Sequence, residues 1–203
     1  MRSAILALAA ASLFAAPALA QTAPVGDYGV DKTHASLTWK IVHQGLSNYT
    51  ARFTSFDATL TFNEADVTKS KLSVTIDPKT VETDYAKQRP AGNTTDFNKE
   101  IADEANFFNS GKYPKITFVS TKITKTGDKT GKATGDLTFL GVTKPVTLDV
   151  TFVGGRNDPR SGKYKVGFSA SGVVKRSEFG MAFGQAFLSD DVKIQVEAEF
   201  VQK

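Results

Sequence analysis

Apolar and polar side chains alternate with period two along most of this chain, and no other feature of the sequence limits its fold as much. Leu37, Trp39 and Ile41 alternate with Thr38 and Lys40, Phe56, Ala58, Leu60 and Phe62 with Asp57, Thr59 and Thr61, and Leu72, Val74 and Ile76 with Ser73, Thr75 and Asp77. Ile116 with Phe118, and Leu137 with Phe139, continue the pattern. Val146, Leu148, Val150 and Phe152 then face Thr147, Asp149 and Thr151; Val166, Phe168 and Ala170 follow, and Val192, Ile194, Val196, Ala198 and Phe200 alternate with Lys193, Gln195, Glu197 and Glu199. Successive strand side chains point to opposite faces, so each of these eight segments reads as a strand with one dry and one wet face.

The connections agree with antiparallel pairing. Thr126 to Gly131 and Gly154 to Gly162 carry hairpin chemistry, and Leu140 to Pro145 is a tighter reversal between two clear strands. One stretch, from Asp77 to Pro114, breaks the alternation. Within it Thr95 or Asp96 can cap a helix, and Phe97, Ile101 and Ala105 recur every fourth residue, so a short helix is expected near residues 97–108, stopped by Gly111 and Pro114. An all-β antiparallel chain with a single interior and one helical excursion fits a closed barrel or a sandwich.

The first twenty residues do not follow this pattern. Met1-Arg2-Ser3 is a short positive start, Ala4 to Ala16 is almost wholly apolar, and Pro17-Ala18-Leu19-Ala20 ends in an A-x-A pattern before Gln21. This reads as a secretory signal peptide, with cleavage expected after Ala20 and a single domain over 21–203. No later run is long and apolar enough to be a membrane-spanning helix. A periplasmic protein is therefore expected.

Composition removes several function classes. With no Cys in 203 residues there is no disulfide framework, thiolate metal site or cysteine nucleophile, and two His leave no histidine-rich metal site. A net charge of +4 from scattered basic residues gives nucleic-acid binding little support. There is no GxSxG, Walker loop or HExxH, so no enzyme is expected, and neither a metal nor a cofactor.

Four blocks carry a family resemblance. Val30-Asp31-Lys32-Thr33-His34-Ala35, followed by Trp39-Lys40-Ile41-Val42-His43, resembles the opening of the YceI-like family of polyisoprenoid-binding proteins. Asn106 to Phe118, with Phe107-Phe108 and Lys112-Tyr113-Pro114, is similar to that family's aromatic block. Gly135 to Val146, containing Gly141-Val142-Thr143-Lys144-Pro145, is similar to its most specific signature. Arg176-Ser177-Glu178-Phe179-Gly180 resembles another, and Leu188 to Val192 stands where the family enters its last strand. The chain departs from the pattern at Ala35, where Ser is common, at Ala51-Arg52-Phe53, and in the long acidic stretch from Asn93 to Ala105. The resemblance implies a lipocalin-like antiparallel β-barrel of about eight strands. It implies a polyisoprenoid partner, an isoprenoid quinone or a polyprenyl phosphate, held for transport, storage or sequestration.

Alternation supplies the wall such a ligand needs. Trp39, Ile41, Phe56, Leu60, Phe62, Val74, Ile76, Phe118, Phe139, Leu148 and Phe168 fall on the inward face. Period two alone does not distinguish a hollow barrel from a filled one, so the same residues also fit a packed, exported barrel that acts as a stress or interaction protein with no lipid. His34, His43 and Arg176 are the candidates for a head group, the last through bidentate contact with phosphate. The alternative for the histidines is a capped or solvent-facing ring, and for Arg176 an ion pair with Glu178 or another acid that fixes a chain reversal. The run Lys122, Lys125, Lys129 and Lys132 reads as a solvated face or as transient contact with an anionic membrane surface. The protein is expected as a monomer or a homodimer.

Overall fold

The computed structural model describes residues 22–203, so the leader expected at 1–20 lies outside the described residues. Among the described residues ten strands form one antiparallel sheet: β1 Gly26–His43, β2 Ser47–Phe53, β3 Phe56–Phe62, β4 Lys71–Ile76, β5 Val81–Thr83, β6 Ile116–Lys125, β7 Thr130–Phe139, β8 Val142–Asn157, β9 Tyr164–Lys175 and β10 Leu188–Gln202. The order is β10-β9-β8-β7-β6-β4-β3-β1-β2-β5, and β10 also pairs with β1, which closes the sheet.

Ten strands occupy eight positions because two of the positions are broken. The first part of β1 pairs with β3, from Gly26↔Phe62 to Gly29↔Thr59, and its second part pairs with β2, from Leu37↔Phe53 to His43↔Ser47. β2 and β3 are therefore one interrupted stave. β4 on β3 and β5 on β2 make the next. The result is a closed eight-stranded antiparallel barrel, which leaves no long open edge. β2 and β5 were not legible as strands. β2 opens on polar Ser47-Asn48, and β5 has three residues.

Turn chemistry sets the registers. β7 and β8 are joined by Leu140-Gly141 alone, both left-handed at φ +49 and +76, while Val142 to Pro145, expected as part of the reversal, already pair in the sheet. A side chain at position 141 would meet the Tyr113 ring at 2.7 Å, so a glycine there serves both the turn and the aromatic packed over it. Gly154 and Gly155 likewise belong to β8, not to a loop.

The excursion contains α1, Phe97–Asp103, which is shorter than the expected 97–108. Asp96 caps it by accepting from the Lys99 N–H at 3.0 Å. It stops because Glu104 turns extended, the Ser110 hydroxyl donates to Asp103 at 2.8 Å, and the Phe108 and Ser110 amides fold back onto the carbonyls of Ile101 and Ala102. Ala105 is exposed, and Phe108 takes over the inward role.

Two buried clusters sit at opposite ends. At one, the plug end, Tyr28, Phe62, Tyr164, Val166 and Phe200 pack with Phe152 and Phe168, and the segment before β1 lies across them with Ala23 buried. Ala23 N–H donates to Glu64 at 2.6 Å, and the Tyr28 hydroxyl donates to the Pro24 carbonyl at 2.7 Å. At the other, the mouth, Trp39, Phe53, Phe139 and Phe179 pack with Phe97 and Phe108 from the excursion.

Candidate ligand cavity

Between the clusters, the inward side chains do not fill the barrel. On β8 the inward positions Val146, Leu148, Val150 and Phe152 are only half-buried, and on β10 the same holds for Val192, Ile194 and Val196. Side chains that point into a closed barrel become inaccessible when it is packed to ordinary density, so accessible ones line a void. The void is a cavity of about 760 Å³, within the range of small-molecule sites.

The cavity wall is overwhelmingly apolar. All eleven wall residues read from the alternation lie on it, from Trp39 and Ile41 on β1 through Phe56, Leu60, Phe62, Val74, Ile76, Phe118, Phe139 and Leu148 to Phe168 on β9. Leu37, Phe53, Val146, Ile194 and Val196 join them. Such a surface offers dispersion and freedom from water along its length and few fixed polar partners, which suits a long hydrocarbon chain.

The three head-group candidates are placed differently. His43 lies at the end of β1 and touches the cavity near the mouth. His34 does not reach it. β1 is irregular between Val30 and Ala35, and His34 stands on the outer wall, 57% exposed, with Nδ1 3.0 Å from Asp31. Arg176 borders the cavity but is 3% exposed and already engaged. Its guanidinium donates to the carbonyls of Ser189 (2.9 Å), Met181 (3.0 Å), Phe183 (2.6 Å) and Leu188 (3.1 Å). Burial lowers its pKa, partly opposed by Asp190. The expected pair with Glu178 is absent among the described ion pairs, and Arg176 fixes the reversal through main-chain oxygens. Asp190 instead holds the Ser177 N–H and hydroxyl at 2.9 and 2.8 Å.

Arg176 thereby shapes a rim that sequence reading did not find. Residues 180–187 fold over the mouth, and the Gln44 N–H of the β1–β2 turn donates to the Phe187 carbonyl at 2.6 Å. Phe107 meets Phe183 at 5.4 Å between ring centroids, and Phe183 meets Phe187 at 6.3 Å. Phe183 and Phe187 are 45% and 43% exposed, and Leu46 in the neighbouring turn is 83% exposed. These positions follow no strand period, so only their apolar character in loops signals them.

Toward the plug end, β4 is short and β6 continues past it, and the cavity there reaches the β6–β7 hairpin. Lys125, Asp128, Lys129 and Lys132 line this part, so three of the four lysines read as a solvated or membrane-contacting face also border the cavity. Lys132 pairs with Asp149 on the neighbouring strand.

Outside the barrel, Asp31, His34 and Glu199 bring ligand-type atoms within 4.8 Å of one another. A cation of the protein itself already serves these acids: Lys165 Nζ lies 3.2 Å from Asp31 and 3.8 Å from both Asp158 and Glu199. Hydrogen bonds from Thr33, His34 and Lys165 hold the Asp31 carboxyl well below the usual range.

Residues 28–200 match the model of the YceI-like domain. "Protein YceI" of Escherichia coli O157:H7 is 37% identical over 100% of both chains. Among solved structures, the Campylobacter jejuni YCEI protein superposes with a TM-score of 0.67 at 32% identity, covering 78% of this chain and 87% of that one. A polyisoprenoid binding domain from Saccharophagus degradans, implicated in plant cell wall breakdown, has the same fold at TM-score 0.62 and 14% identity, covering 87% and 98% of the two chains.

Proposed function

Since this chain belongs to the YceI-like family, we propose that it is an exported binding protein, without covalent chemistry of its own, that holds a polyisoprenoid chain inside its barrel for transport, storage or sequestration. The observation that carries this reading is the accessible inward face of β8 and β10 around an apolar cavity of about 760 Å³. The polyisoprenoid named for the Saccharophagus degradans domain supports the choice of ligand. Burial contributes about 0.8 kcal/mol per methylene-sized group, so each five-carbon unit adds a few kcal/mol before the cost of ordering the chain. The A-x-A leader supports export to the periplasm. The exposed Leu46, Phe183 and Phe187 give the mouth a surface that would touch a bilayer while the lipid passes.

The test is native mass spectrometry, with lipid extraction, of mature protein purified from its own source. A stoichiometric long-chain isoprenoid is expected. A ligand-free barrel that takes up neither a prenyl quinone nor a prenyl phosphate on titration would overturn the reading and leave the packed-barrel interaction protein in its place.

A further inference from the structure

The cavity wall carries two polar atoms that the protein leaves without partners. Trp39 is 9% exposed, and its indole Nε1 is fully covered and meets no hydrogen-bond acceptor. The Tyr49 hydroxyl is covered and unpartnered in the same way. The Thr83 side chain, whose hydroxyl donates to Asn98 at 2.7 Å, lies near enough to temper the rise that burial imposes on the Tyr49 pKa, but no bond of hydrogen-bond geometry joins it to the Tyr49 hydroxyl. Buried donors without partners are rare and costly in native proteins, so a pair of them on one wall calls for an explanation.

Their placement supplies one. Trp39 stands opposite Ala51 and Tyr49 opposite Ile41 in the β1–β2 ladder, so the two are diagonal neighbours on the inward face. Both line the cavity. A carbonyl oxygen has two lone pairs and accepts from an indole N–H and a phenol O–H together. Among the described residues no lysine borders the cavity at this end, since the lining lysines lie on the β6–β7 hairpin; Arg176 directs its guanidinium donors to four main-chain carbonyls and not into the cavity, and His43 is the other basic side chain near the mouth. The Phe108 ring lies against the indole, centroids 6.1 Å apart and planes at 84°, and rides on the loop after α1. Nε1 itself is covered, so an incoming oxygen reaches it by displacing a neighbour.

We propose that Trp39 Nε1 and Tyr49 Oη form an internal recognition site for an uncharged carbonyl oxygen of the bound lipid, which selects isoprenoids that end in a quinone-type ring over bare hydrocarbons and phosphates. This rests on the reading of the cavity as an isoprenoid site. The chain has one Trp, so its indole can be followed directly.

The experiment titrates the mature protein, W39F and Y49F with three ligands: a benzoquinone bearing a three-unit isoprenyl tail, squalene and farnesyl phosphate. W39F is expected to weaken quinone binding about tenfold and Y49F a few-fold, with squalene unchanged, as loss of a hydrogen bond to the ligand requires. Ultraviolet resonance Raman of the wild type should show the indole N–H marker moving to its hydrogen-bonded position with quinone but not with squalene. Equal weakening for quinone and squalene, no weakening for quinone, a preference for farnesyl phosphate, or an unmoved marker overturns the inference while leaving isoprenoid binding intact. A wild-type protein that binds none of the three overturns the isoprenoid reading as well. Should W39F fail to fold, Y49F and the Raman marker decide.

Discussion

At the plug end, Tyr28 and Tyr164 are 0% and 2% exposed and interlock with Val166, Phe62 and Phe200, while at the mouth Phe183 and Phe187 are nearly half exposed and the loop that bears them is held by the Arg176 guanidinium and the Gln44 N–H. The first end is held by interdigitated volume, which tolerates no gap. At the second, side chains such as Trp39, Phe53, Phe139 and Phe179 pack below, but the rim loop above them is tied down mainly by hydrogen bonds, from the buried Arg176 guanidinium and from the Gln44 N–H to main-chain oxygens, which fix its path and leave its own aromatic side chains half exposed. A barrel that must stay folded and still admit a chain-like guest needs one end of each kind.

Truncation at the plug gives the largest effect. Phe62→Ala removes a ring packed on Tyr28, Phe152 and Phe168 and should cost about 3–5 kcal/mol in denaturant unfolding. Phe187→Ala at the mouth should stay within about 0.5 kcal/mol. Equal losses at the two ends would mean that the mouth is as tightly packed as the plug, and the contrast would fail.

Arg176→Lys comes next, at about 2–3 kcal/mol, because an ammonium cannot reach the four carbonyls that the planar guanidinium spans. The loss should be local. Amide exchange is expected to speed up across residues 180–190 and to stay unchanged in β8 and β9, and a uniform loss of protection would show that Arg176 supports the whole barrel and not its rim.

Leu148→Glu sharpens the comparison from between the two ends. Leu148 faces the void and is half-buried, so a carboxylate there has room and should lower stability by only about 1–2 kcal/mol. Uptake of an isoprenyl quinone should nevertheless fall at least tenfold. A folded variant with normal uptake would show that the guest does not run past β8.

What the sequence disclosed follows from the range of its signals. Alternation is local, so it placed Ile41, Leu60, Phe139 and Leu148 on the inward face without any knowledge of pairing. Whether their side chains meet across the barrel is a property of the closed ring, and no local pattern encodes the volume left at its centre. The mouth was hidden for a different reason. Phe183, Phe187 and Leu46 lie in turns, where spacing carries no directional meaning, and the four acceptors of Arg176 are main-chain oxygens that exist at every residue. His34 takes the solvent-facing, capped alternative: it lies on the outer face of β1 with its Nδ1 3.0 Å from Asp31, and is no part of the cavity.

Acid provides the smallest and most even-handed test of the two ends. At the mouth, burial raises the Asp190 carboxyl, but the Ser177 N–H and hydroxyl, with Lys175 and Arg176 nearby, bring it below its ordinary value. At the plug end, the Arg160 N–H and the Ser161 hydroxyl lower Asp158. Each folded-state pKa lies under the unfolded value near 3.9, so below about pH 5 the unfolded chain binds more protons than the folded one. Stability from these carboxylates is therefore complete above that range and is lost as the pH falls through the folded values. The melting temperature should be flat from pH 7 to about pH 5 and decline below pH 4. Asp158→Asn and Asp190→Asn should each flatten part of that decline, but only Asp190→Asn should also speed amide exchange in the rim. If both variants loosen the rim, or neither does, the two ends are not independent and the separation of plug from mouth is wrong.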